Sequence, residues 1–230
     1  MSAAQPESLT IRIDEQRQVS GVLLAPADAR ACYVYAHGAG AGMHHAFMAA
    51  TAQALAARGI ATLRYQFPYM EAGSKRPDSP KVAHTAVRAA VTHAATLLPD
   101  TALIAGGKSF GGRMTSQAQA AEPLPRVHGL AFFGFPLHPA GQPSSDRAKH
   151  LADVHVPMLF LQGTRDELAQ LALIRQLAQQ LGPVATLREF DDADHSFHVR
   201  KRSGRDDAAV IVELADAFAQ WSALAVGRSG

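Results

Sequence analysis

From residue 31 onward, short apolar runs alternate with longer segments whose apolar residues recur every three or four positions, and this rhythm constrains the fold most. The runs lie at 31–36 (A-C-Y-V-Y-A), 60–65, 102–106, 129–133, 157–161 and 184–190, too short and too continuously apolar for surface helices. Between them, Val87, Val91, Ala94 and Leu98 share one helical face, begun by Ser79-Pro80 and stopped by Pro99. Leu171, Ile174, Ala178 and Leu181 form a second stripe closed by Gly182, and Ile211, Leu214, Phe218 and Trp221 form a third. Two further strands are expected ahead of the alternation, at 8–14 and 19–26, joined by E-Q-R-Q. Apolar strands alternating with helices predict an α/β fold, a mostly parallel sheet covered on both faces. No repeat or low-complexity linker interrupts the 230 residues, so one domain over 1–230 is expected. In such sheets ligands bind where strands end, which directs attention to the residue just after each run.

The exit of the run at 102–106 reads I-A-G-G-K-S-F-G-G-R and admits two chemistries. As G-K-S it suggests a phosphate-binding loop, but that loop needs glycine five residues before Gly107, where Ala102 stands inside the strand. As G-x-S-x-G it places Ser109 between Gly107 and Gly111 on a sharp strand-to-helix turn, with Phe110, Met114, Ala118 and Ala121 on one face of the helix that follows. A serine hydroxyl needs a base to take its proton, and the base needs a carboxylate to fix its tautomer. Both occur downstream at strand exits: Asp166 in Q-G-T-R-D-E and His195 in D-D-A-D-H-S-F. Asp166 could instead cap a nearby helix, and His195 could be an ordinary loop histidine. A tetrahedral oxyanion also needs donors. The backbone N–H of Phe110 is expected to supply one and the glycine-rich exit H-G-A-G-A-G (37–42) a second, from Ala39, the alternative being a plain turn chosen for flexibility.

Other residues carry less. Asp191, Asp192 and Asp194 are too near His195 in sequence to be its carboxylate, although Asp194 is placed to help orient it. His37, His44 and His45 lack Cys or Glu at ligand spacing, so no metal is expected, and no cofactor. Lys108 is expected to lay its stem on apolar surface. A net charge of +2 without a basic helix face argues against nucleic acid. The single cysteine, Cys32, excludes an intramolecular disulfide and fits a reducing cytosol. The N-terminal residues lack a secretory pattern, and no run of about 18 apolar residues suggests a membrane span, so a cytoplasmic location is expected.

H-G-A-G-A-G (37–42), G-K-S-F-G-G-R (107–113), G-T-R-D (163–166) and D-H-S-F (194–197) together resemble the α/β-hydrolase superfamily, over nearly the whole chain. Within it they are similar to a small, lidless bacterial branch akin to dienelactone hydrolases, and to the hydrolase-like domain of subunit three of the eukaryotic NSL histone-acetyltransferase complex. The resemblance implies an eight-stranded α/β-hydrolase fold and a Ser109–Asp166–His195 triad. Dienelactone hydrolases proper carry cysteine where this chain has Ser109, which weakens dienelactone as a substrate. Residues 134–156 leave no room for a cap domain, so an open pocket is expected, walled by Phe67, Pro68 and Tyr69 and by Phe135, Pro136 and Leu137. Small soluble esters or thioesters are the expected substrates, with Lys75, Arg76 and the basic residues at 200–205 favouring anionic ones. The competing expectation is an interaction module that keeps the hydrolase shape with little or no catalysis.

Overall fold

A computed structural model of the chain describes residues 4–227. The termini of the expected 1–230 domain, residues 1–3 and 228–230, lie outside the described residues. Eight strands form one sheet: β1 (Glu7–Arg12), β2 (Gln18–Leu24), β3 (Ala31–Ala36), β4 (Ile60–Tyr65), β5 (Ala102–Lys108), β6 (Val127–Phe133), β7 (Met158–Gly163) and β8 (Ala185–Phe190). Their order is β1-β2-β4-β3-β5-β6-β7-β8, and β2, antiparallel to both neighbours, is the one strand that runs against the rest.

The six expected runs from residue 31 onward all became strands because both sheet faces are covered. In β3, Tyr33 and Tyr35 enter one core and Cys32 and Val34 the other. Helices α1 (Ala46–Ala56) and α6 (Asp207–Gly227) cover the tyrosine side. On the opposite side lie α3 (Pro80–Leu97), α4 (Phe110–Ala121) and α5 (Leu171–Leu181), with the single-turn α2 (Pro68–Glu71) ahead of α3. The α3 stripe is buried through Val87, Val91 and Ala94, and that of α4 through Phe110, Met114 and Ala118, whereas Ala121 is exposed.

Two elements depart from expectation. Helix α1 has no periodic apolar stripe to announce it, because A-F-M-A-A-T-A-Q-A-L-A is apolar nearly all round. Helix α6 reaches a mean hydropathy of 1.5 over 18 residues, enough by length and composition to cross a membrane. Leu214, Phe218 and Trp221 of the expected stripe pack on the sheet instead, joined by Val210 in place of the half-buried Ile211. Between β6 and β7 there is a loop and a 3-10 helix, Asp146–Asp153, and no cap domain.

Candidate active site

The parallel strands β3, β5, β7 and β8 deliver Ala39, Ser109, Asp166 and His195 to one edge of the sheet, each within five residues of a strand end. Ser109 joins β5 to α4 with φ 50° and ψ −115°, a left-handed conformation that costs an L-residue about 1–3 kcal/mol. Its amide donates to Phe133 O (3.2 Å), and its carbonyl accepts from Arg113 N–H (3.1 Å). The glycines on either side are dictated by space. A Cβ at Gly107 or Gly111 would lie 2.5 Å from the Ala36 carbonyl oxygen, so helix and strand can approach only without one.

Ser109 Oγ lies 2.8 Å from His195 Nε2, and His195 Nδ1 lies 2.7 Å from Asp166 Oδ2. A carboxylate accepts only, so Nδ1 carries the proton and Nε2 is free to accept from the serine hydroxyl. Asp166 is buried, and its other contacts hold it in place. Gln162 Nε2 donates to Oδ2, and Leu168 N–H donates to Oδ1 at 2.8 Å. Gln162 Oε1 in turn accepts from Phe135 N–H at 3.0 Å, tying the carboxylate to the β6 exit. Asp194 accepts from the N–H groups of Ser196 (2.8 Å) and His198 (3.0 Å), shaping the loop around His195 rather than touching its ring.

Lys108 does more than cover apolar surface. Its ammonium donates to the His195 carbonyl oxygen at 2.6 Å and sits 5.6 Å from the Phe197 ring centroid. Burial pushes this lysine down to about 8, with Asp166 and Asp194 pulling the other way. The residue beside Ser109 therefore anchors the loop that carries His195. Sequence reading missed this because a strand-terminal lysine more often reaches solvent.

Phe110 opens α4, so its N–H has no acceptor inside the helix. In the glycine-rich loop, Gly40 N–H donates to Tyr69 Oη (2.9 Å) and Ala41 N–H to Gly38 O (3.2 Å), leaving Ala39 beside Ser109 in both clefts that meet there. One cleft, about 390 Å³, is bordered by Ala39, Phe110, Arg113, Arg147 and Leu168. The other, about 370 Å³, is bordered by His45, Phe47, Lys108, His195 and Ser196.

The expected pocket walls are wrong for most positions. Phe67, Phe135 and Leu137 are fully buried in the core, and only Pro136 of that group borders a cleft at Ser109. Pro68 and Tyr69 edge a neighbouring cleft of about 950 Å³ that meets the first at Pro77 and Asp78 and contains none of Ser109, Asp166 and His195. The expected basic residues are also misplaced. Arg76 lines that neighbouring cleft rather than either cleft at Ser109, Arg200 pairs with Asp192, and Arg205 pairs with Glu213. His37 is buried, with Nδ1 2.7 Å from Gly38 O and Nε2 accepting Phe67 N–H at 3.1 Å, so both ring nitrogens are occupied within the chain. Burial pushes it down to about 4.

A family model described as an alpha/beta hydrolase domain matches residues 29–223. Among solved structures, the chain is similar to a dienelactone hydrolase from Anabaena variabilis, with TM-score 0.75, 18% identity, and 96% and 97% of the two chains covered. It is also similar to an α/β serine hydrolase without a lid from Xanthomonas campestris (TM-score 0.73, 21% identity, 94% and 95% covered). The esterase domain of a Rhodothermus marinus protein aligns at TM-score 0.71 and 18% identity, covering 95% of this chain and 98% of that one. At these identities the structures speak for a shared fold.

Proposed function

The chain belongs to the alpha/beta-hydrolase family, and from that premise we propose that it is a serine hydrolase of small soluble carboxylic esters or thioesters, working through an acyl-enzyme on Ser109. The observation that carries this reading is the unbroken hydrogen-bonded line Asp166–His195–Ser109, at 2.7 and 2.8 Å, on an otherwise strained turn.

In this mechanism His195 Nε2 takes the Ser109 hydroxyl proton as Oγ attacks the substrate carbonyl carbon. Asp166 holds the ring and stabilises the imidazolium. The N–H groups of Phe110 and Ala39 receive the oxyanion, aided by the positive end of α4. Collapse breaks the bond to the alcohol or thiol, which leaves with the proton from His195. Water then repeats the sequence against the acyl-enzyme, releasing the acid and restoring Ser109. The missing cap supports short, soluble acyl groups, since nothing encloses a long chain.

Turnover of short 4-nitrophenyl esters by wild type and Ser109→Ala tests the reading. A loss of about 10³-fold or more in kcat/KM is expected, and equal rates would refute it. A fluorophosphonate probe that fails to label Ser109 in folded protein would favour the interaction-module alternative. A preference for acyl chains of about eight carbons or more would contradict the open-site argument.

A further inference from the structure

The two clefts at Ser109 differ in what they present. His195 borders only one of them, the cleft it shares with Lys108 and Ser196. Because the histidine must protonate the departing oxygen or sulfur, the leaving group has to lie on that side. The acyl chain is then directed into the other cleft, toward Arg113 and Arg147.

Those two guanidinium groups have no ion-pair partner among the described residues, whereas Arg58, Arg88, Arg175, Arg200 and Arg205 each have one. Arg113, one turn along α4 from Ser109, has its Nε buried without a hydrogen-bond partner. Burial first, and then the charge of Arg147, push its guanidinium below the usual range, as expected for two like charges facing one another. The neighbouring His150 does not compensate. It lies 2.8 Å from Ser116 Oγ, and burial and Arg113 push it down to about 4. Asp78 is the one carboxylate bordering the cleft, and its Oδ2 accepts Tyr69 N–H at 3.0 Å. The cleft is left cationic beside the nucleophile.

An unpaired, partly desolvated arginine pair is costly in the empty protein and is relieved by an oxyanion, which guanidinium forks bind bidentately. We propose that Arg113 and Arg147 form the far end of the acyl subsite and select acyl groups bearing a second, ionised acid, as in half-esters or half-thioesters of short dicarboxylic acids or their phosphono equivalents. This rests on the serine-hydrolase reading for its orientation, and it makes the acyl group the source of specificity.

The experiment compares mono-4-nitrophenyl adipate with 4-nitrophenyl hexanoate, which match in length and leaving group. Wild type favours the anionic ester about tenfold or more in kcat/KM, and Arg147→Gln and Arg113→Gln each lower that ratio about tenfold. Lys149→Gln, an exposed change in the same 3-10 helix, leaves the ratio within about twofold and controls for net charge. Equal rates on the two esters in wild type, or a ratio that survives both arginine substitutions, overturns the proposal. Should Arg113→Gln fail to fold, Arg147→Gln decides, because Arg147 is only partly buried.

Calorimetric titration with free adipate reads the subsite without turnover. Binding by Ser109→Ala that is lost in Ser109→Ala/Arg147→Gln supports it, and binding by neither overturns it. The same titration with inorganic phosphate tells a carboxylate site from a phosphoryl one. Failure of ester turnover with adipate binding intact would count against the hydrolase reading alone.

Discussion

Ser109 occupies its turn at a cost in backbone conformation. Its left-handed backbone is strained for any side chain with a Cβ, so removing the hydroxyl alone does not relieve it. Ser109→Gly should therefore be more stable than Ser109→Ala by about 1 kcal/mol, or roughly 2–4 °C in Tm, after glycine's entropic cost is deducted. Differential scanning calorimetry of the two inactive proteins checks this, and equal Tm values would contradict the strain. Lys108 gives a second residue-level expectation. Lys108→Met removes the donor to the His195 carbonyl while filling the same space. It should lower kcat/KM about tenfold with Tm little changed, as when a group supporting a catalytic ligand is lost.

The order Ser109, Asp166, His195 was legible because each residue directly follows a recognisable apolar run. The pocket was not. Phe67 keeps the alternation of Leu63 and Tyr65 beyond the strand end and stays in their core, while Gly134, at φ 69°, turns the β6 exit and carries Phe135 into the core beside Phe132. Arg113 and Arg147 gave no periodic signal, since they meet only after the 3-10 helix packs on α4.

Among elements, the β5–α4 junction carries the tightest constraint. Backbone-to-backbone clearance there excludes any side chain, so Gly111→Ala should destabilise by about 3 kcal/mol or more, above the usual range for one added methyl group. Urea unfolding measures this, and a loss below about 1 kcal/mol would mean that the helix can shift. All eight strands were readable from continuous apolar runs or the paired N-terminal segments, with ends moved by a residue or two. Helix α1 was not, because a helix apolar on nearly every face lacks the periodicity by which helices are found. The two extra residues of β5, Gly107 and Lys108, were equally hidden, and they bring the lysine side chain under the histidine loop.

For the whole molecule, the buried neutral histidines set a pH limit. His37 is held near 4 against an unfolded value of 6.5. Between those values the unfolded chain binds a proton that the native one excludes, so stability falls as pH drops through that window and is fully present above it. His37 alone should remove about 2 kcal/mol between pH 7 and pH 5. Denaturant unfolding at the two pH values checks this, and His37→Gln should shrink the difference by about that amount, leaving the share of His150.

The order of the strands also decides when the Asp166–His195–Ser109 line can form. Ala39, Ser109 and Asp166 follow strands made early or midway, but His195 follows β8, the outermost strand, paired only with β7. On the serine-hydrolase reading proposed above, a chain emerging from the ribosome could lay down most of its sheet, with Ala39 and Phe110, before the proposed base for Ser109 is in place. Helix α6, which carries the only tryptophan, docks Trp221 against the sheet at Gly129, and this happens later still in the chain. On that reading the proposed base joins Ser109 only after β8 and the loop beyond it have formed, so a molecule folded no further than β7 holds the serine without its histidine.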